Sequence, residues 1–333
     1  MTYKEILAEM LGDLKKDVEK YLTGSRENYI YRKEHTEEYG DTDKNYDNRK
    51  RLCYGLLLNV CEIPEQKREE MTRELFEQEI ISRENESFQG IGENLEILTL
   101  LMRQYRRDED RELFKRAKNA NFDCFLGYDP EHDYSRPHEK PELYSVYSSD
   151  PETYDLRDCI KLAYSMDMQK HLCRLLDILK ESDMSRYDYK NMLRYYKLTG
   201  REEDRETAVK GYFRLTLSSP ETDDMARLKA YEEIIDLLAE KGEGDEAFEL
   251  LNEGTKALRK FNMRSFYDCT LKIMETSPEI AKEVWKYAGY YADMDIARKD
   301  LCPVCYDVVG KCAELAGDNE IMKTVNALKA SEK

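Results

Sequence analysis

Three cysteines fall within eleven residues near the end of the chain, in the stretch LCPVCYDVVGKC: Cys302, Cys305 and Cys312. Two thiolates three positions apart can chelate zinc, but a structural zinc site needs four ligands. No second CxxC and no HxxxH occurs anywhere in the sequence, which leaves Cys312 as a third donor and Cys269 as a distant fourth. A CxxC at a helix start can also be redox-active through a depressed thiol pKa. That chemistry normally follows a thioredoxin-like strand, whereas this region has helical periodicity. The reading adopted is packing. Pro303 takes the first turn of a helix, and Tyr306, Val309 and Gly310 are its contact positions. Cys305 and Cys312, seven apart, then share one partly buried stripe. On this reading no metal and no cofactor is expected.

A second candidate is HDYSRPH, where His132 and His138 stand among Glu131, Asp133 and Glu139. It could form a metal or acid–base cluster, or a solvated loop whose histidines make local hydrogen bonds. His35 lies in a charged connector. His171, beside Leu172 and Leu175, reads as a partly buried helix residue. No serine has a nucleophile-elbow context, and neither GxGxxG nor GxxxxGK[ST] occurs. One basic patch holds Arg103, Arg106, Arg107, Arg111, Lys115, Arg116 and Lys118, with Asp108, Glu109, Asp110 and Glu112 interleaved. It could bind an anion, but the interleaving favours pairing along a helix. No catalytic residue is assigned.

The elements that must position these residues follow from composition. The chain has 333 residues, of which 41% are hydrophobic and 37% charged, with only 15 Gly and 8 Pro. Few turn formers and many charges favour long helices over many short strands. The net charge of −17 disfavours nucleic-acid binding and suits a basic partner. No apolar run approaches the length of a membrane span. The first residues lack a signal-peptide pattern. With nine unpaired-looking cysteines, this indicates a reducing, cytoplasmic setting.

Leu7, Leu11, Leu14, Val18 and Leu22 recur at helical steps and predict a first helix. Residues 24–45 read as a polar connector. Further helices are expected over about 45–62, from Pro64, over 94–107 and over 110–120. Residues 121–153 lack helical periodicity and hold four prolines with many aromatics. They are expected to form an irregular segment joining two parts. The predicted domains are therefore 1–120, a helical bundle; 121–153, the connecting segment; and 154–333, helix pairs. Turns within pairs are placed near Met166, Gly200, Gly242, Ser277 and Gly317, at intervals of the size that marks stacked helical repeats.

From Tyr231 the chain reads YEEIIDLLAEKGEGDEAFELLNEGTKAL. Tyr231, Ile234, Leu238, Gly242 and Ala247 stand at the aromatic, apolar, turn and small-residue places of a helix pair. This segment resembles a tetratricopeptide repeat. Tyr189, Met192, Tyr196 and Gly200 share the first-helix half, but Arg205 stands where the small residue belongs. Tyr306, Val309, Gly310, Ala313 and Gly317 share it too, and Phe266 opens a looser copy. HEAT-like pairs are the competing repeat type. The resemblance implies an all-α fold: a right-handed α-solenoid of stacked antiparallel helix pairs behind an N-terminal helical region. It also implies a concave first-helix face that binds a protein or peptide.

The expected function is therefore non-catalytic protein–protein interaction through an acidic, Tyr-rich surface. One form would be a bacterial immunity or antagonist-type protein that neutralises a more basic partner. Tyr128, Tyr134, Tyr144, Tyr147, Tyr189, Tyr196 and Tyr231 are its candidate contact residues, because Tyr offers large contact area at low entropic cost. The alternatives are a ligand sensor or enzyme using 121–153 with His132 and His138, and an adaptor with two partner faces.

Overall fold

The computed structural model describes residues 1–87, 90–105, 107–131, 150–261 and 263–331, without the side chains of 256–261. The described residues form sixteen α-helices and one two-stranded hairpin. Sequential helices pack as neighbours, the arrangement of an all-α solenoid. No described helix is long and apolar enough to cross a membrane. The chain divides into two compact units, Met1–Ser182 and Asp183–Lys333.

In the first unit, α1 (Tyr3–Leu22) starts at a capping box: Thr2 accepts from the Glu5 amide while the Glu5 carboxylate accepts from the Thr2 amide. Its buried stripe is Ile6, Leu7, Met10, Leu14, Val18 and Tyr21. The expected stripe is thus corrected at two places. Over six turns, steps of exactly three and four drift away from a period of 3.6. Met10 and Tyr21 turn inward, Leu11 is half-buried and Leu22 is exposed.

The 24–45 connector contains structure that its composition does not announce. β1 (Lys33–Thr36) pairs antiparallel with β2 (Gly40–Asp43), in register from Lys33↔Asp43 to Thr36↔Gly40. Gly40 takes a left-handed φ of +71° at the turn. The far edge of β2 is tied down as well. The Ser87 amide donates to the Asp41 carbonyl at 2.8 Å, and the Asp41 amide donates to Ser87 Oγ at 2.9 Å.

The hairpin ends on a buried charge network. It joins α2 (Tyr46–Leu57), α3 (Glu65–Asn85) and α4 (Glu93–Met102). Arg49 has no exposed surface; its guanidinium meets the Asp43 carboxylate at 2.5 Å and Glu79 at 2.9 Å. Arg83 reaches Glu79 at 3.4 Å and Glu86 at 2.8 Å, and the Asn94 amide donates to Glu79 at 3.3 Å. Asp43 also accepts from the Arg32 and Asn45 amides. Ions taken out of water are tolerated only when paired and hydrogen-bonded, and here β2, α2, α3 and α4 supply the partners.

Next come α5 (Asp110–Lys118) and α6 (Phe122–Gly127). The helix α6 and the 3-10 turn Pro151–Thr153 replace irregular chain at both ends of the expected connecting segment. The pair α7 (Leu156–Ser165) and α8 (Gln169–Lys180) packs on α1 within this unit.

The second unit is four consecutive pairs: α9 (Arg186–Thr199) with α10 (Glu202–Ser218), α11 (Asp224–Glu240) with α12 (Gly244–Phe261), α13 (Met263–Thr276) with α14 (Ala281–Arg298), and α15 (Tyr306–Ala316) with α16 (Asn319–Ser331). Each expected turn falls between the helices of a pair. Gly200, Gly242 and Gly317 hold φ of +65°, +76° and +77°, the left-handed region where a Cβ is strained. First helices also meet across pairs, α11 with α13 and α13 with α15. Ile234, Leu238, Ala247, Tyr306 and Val309 are all buried in the resulting core. Gly310 is a looser fit than its spacing suggests: a Cβ there would sit 3.9 Å from Val325, an ordinary contact.

Candidate partner-binding site

The tyrosines singled out by spacing pack between helices. The ring of Tyr189 lies so close to Gly211 that a Cβ there would fall 2.2 Å from it. Tyr231 stands against Gly254 in the same way, at 2.8 Å. Twenty-two and twenty-three residues separate aromatic and glycine in the two pairs. A missing side chain on the second helix thus makes room for the ring on the first. Tyr231 is 7% exposed, donates to Glu253 at 3.2 Å and meets Phe213 edge-on at 5.3 Å. Burial pushes its phenol up to about 12. Tyr128 is fully buried beside Thr99 Oγ1, 2.8 Å away. Tyr134, Tyr144, Tyr147, His132 and His138 lie outside the described residues.

Tyr196 begins a polar ladder. It is half-buried, donates to Glu202 at 2.6 Å and carries the Arg205 guanidinium 5.7 Å above its ring. Arg205 replaces the expected small residue and spans to the next pair. It meets Asp236 at 3.2 Å and also pairs with Glu240. Lys272 of α13 takes the same two carboxylates, at 3.4 Å and 2.9 Å. Arg205 and then Lys272 hold Glu240 below the usual carboxylate range. One polar chain therefore starts at Tyr196 of α9 and continues as charges across α10, α11 and α13.

Beside this ladder a groove of about 410 Å³ runs between α11 and α13, the stacked first helices. Glu232, Glu233 and Asp236 line one side and Asp268 the other; Lys229 and Lys272 are the cations, and Ser265 and Cys269 are buried in its lining. Among the described residues, four carboxylates against two ammonium groups leave the lining two charges negative. Lys229 is bound by Glu233 at 2.9 Å, and Asp268 is held by Arg264 at 3.3 Å. Burial, followed by the fields of Glu232, Asp236 and Asp268, pushes the Cys269 thiol up to about 12. That thiol is therefore a neutral wall, not a nucleophile. The groove offers acceptors and negative potential to a cationic side chain.

The terminal cysteines separate by exposure. Cys302 is exposed, Cys305 and Cys312 are buried, and burial pushes the last two up to about 11 and about 12. Among the described residues, no three His, Cys, Asp or Glu side chains are grouped to hold a metal ion. A thiol reagent is expected to label Cys302 fast and the half-buried Cys61 and Cys173 more slowly, leaving the six buried thiols protected. Peptide mapping after timed alkylation checks this; fast labelling of Cys305 or Cys312 would contradict it.

His171 is buried on α8 with Glu9 at 3.7 Å and Asp13 at 3.9 Å, and burial lowers its pKa. The basic patch is largely paired. Arg111 meets Asp108 at 3.0 Å, Lys115 meets Glu112 at 3.9 Å, and Arg116 meets Glu84 of α3 at 2.6 Å. Spacing alone did not disclose the groove, because its facing carboxylates are far apart in the chain: Asp236 and Asp268 are thirty-two residues apart, and Glu232 and Asp268 thirty-six. The visible signal was Arg205, a cation in a place that repeat packing reserves for a small side chain. Comparison with protein-family models, with curated proteins and with solved structures gives no match for this chain.

Proposed function

We propose that the chain binds a protein partner without catalysis, through the first-helix face of its second unit, and that the helix pairs are degenerate tetratricopeptide-like repeats. The observation that carries this reading is the groove between α11 and α13, where Glu232, Glu233, Asp236 and Asp268 leave a net negative lining. A segment bearing Lys or Arg complements it in charge, and charge-assisted hydrogen bonds to carboxylates are the strong kind. Tyr196 and the Arg205 ladder hold α9, α10, α11 and α13 in register, so the carboxylates are presented from a preorganised surface.

A nonapeptide alternating Lys and Ala is a suitable probe, measured by calorimetry at two salt concentrations. Glu232→Lys with Asp268→Lys is expected to weaken its binding about tenfold or more, roughly 1.4 kcal/mol. Glu246→Lys with Glu249→Lys changes net charge equally on exposed positions of α12 and should leave binding nearly unaltered. Equal loss in both double variants would reduce the effect to overall charge and refute the site.

A further inference from the structure

We propose that Cys302 and Cys305 form a reversible dithiol–disulfide pair, a modification site for small-molecule disulfides of the glutathione type. This does not depend on the partner-binding reading. The two cysteines stand at the ends of one short turn. The 3-10 turn Pro303–Cys305 starts after Cys302, and the Cys305 amide donates to the Cys302 carbonyl at 2.8 Å. Such a bond, closing a turn of four residues, holds the end Cα atoms within about 7 Å. A disulfide spans Cα atoms about 4.4–6.8 Å apart, so it can close here with little movement of the backbone.

The fold gives the two thiols different tasks. Leu301, Cys305 and Tyr306 are buried, and the turn packs on α13. Cys302, Pro303 and Val304 are exposed. Cys302 is thus the thiol that a dissolved disulfide can meet. Cys305 is 1% exposed, and burial, followed by the field of Cys302, pushes its thiol up to about 11. It is therefore a poor first attacker. Its task is the second step, for which it has to reach only the Cys302 sulfur across the turn and not the solvent.

Two exchange steps complete the reaction. The Cys302 thiolate attacks one sulfur of oxidised glutathione. The S–S bond of that molecule breaks, one glutathione leaves as its thiolate, and the other stays on Cys302 as a mixed disulfide. Cys305 then gives its proton to solvent or to the departed thiolate. Its sulfur attacks Cys302 Sγ and expels the second glutathione. Two protein thiols are thereby oxidised to one disulfide, and one glutathione disulfide is reduced to two thiols. An excess of reduced glutathione runs both steps backwards.

Equilibration of the folded full chain with oxidised and reduced glutathione, followed by acid quenching, alkylation and tryptic mass mapping, tests this. The fragment 300–311 carries Cys302 and Cys305 and no other cysteine. The expected product is this fragment short of two hydrogens, restored by excess reduced glutathione. At fixed reduced glutathione it should form at about a tenfold lower concentration of oxidised glutathione than in the urea-unfolded chain, where no turn holds the ends together. Cys305→Ala should instead retain glutathione on Cys302, and Cys302→Ala should take up none in this fragment. Continued protection of the buried Cys312 from alkylation shows that each variant is folded. The parent chain decides the matter even where a variant fails to fold. A lasting glutathione adduct on Cys302 of the folded parent, no reaction of that chain, or closure no easier folded than unfolded would each overturn the proposal.

Discussion

Arg49→Met lowers the stability of the first unit by about 3–5 kcal/mol, the cost of breaking a buried ion pair by removing one partner. The Met side chain fills similar volume, so little of the loss comes from a cavity. The loss comes from Asp43 and Glu79, whose carboxylates would remain buried against a neutral neighbour. Asp43 ends β2, so hairpin protection in hydrogen exchange should fall before that of the α1 core. Urea unfolding of the variant beside the parent measures the difference. Lys16→Met, on a pair whose side chains are 68% and 38% exposed, should leave the curve unmoved. If Arg49→Met behaved like Lys16→Met, the buried network would contribute nothing to holding the hairpin on the helices.

Tyr231→Ala is the second large effect, at about 3–5 kcal/mol for an aromatic removed from a core. The ring fills the space above Gly254 and meets Phe213, so its loss opens a cavity between α11 and the second helices on either side. Tyr231→Phe keeps the ring and gives up only the bond to Glu253, at about 1 kcal/mol. Gly254→Val attacks the same contact from the other helix by overpacking, at about 1–3 kcal/mol. Combining Tyr231→Ala with Gly254→Val should cost less than the sum, because the valine occupies vacated space. Full additivity would mean that ring and glycine do not form one contact.

The helix pairs were legible because their signals are local. A glycine in the left-handed region ends α9, α11 and α15 or follows them within two residues, and an aromatic opens the packed face of the first helix. Both follow from sterics that one short stretch contains. The hairpin was not legible, since KEHT and GDTD lack apolar alternation and hold one strand former each, Thr36 and Thr42, among charged residues and Gly. Tertiary bonds to Ser87 and Arg49 hold it. The buried network was hidden for a related reason. Composition assigns Arg49, Glu79 and Arg83 to solvent, and only the fold brings their opposite charges together. At the candidate site, spacing found Tyr189 and Tyr231, whose rings the stacking uses. The carboxylates of the groove emerged only when α11 met α13.

A photo-crosslinking residue placed at position 264, an exposed site on α13 one turn from Asp268, tests the binding account most directly when compared with one at position 249 on α12. After irradiation in the native lysate, the account predicts a discrete adduct from position 264, absent from 249, whose cross-linked segment carries Lys or Arg. The Glu232→Lys change in the same chain should abolish that adduct. Adducts of equal yield from both positions, or an adduct from 264 that survives Glu232→Lys, would contradict the assignment of the α11–α13 groove as the partner-binding face.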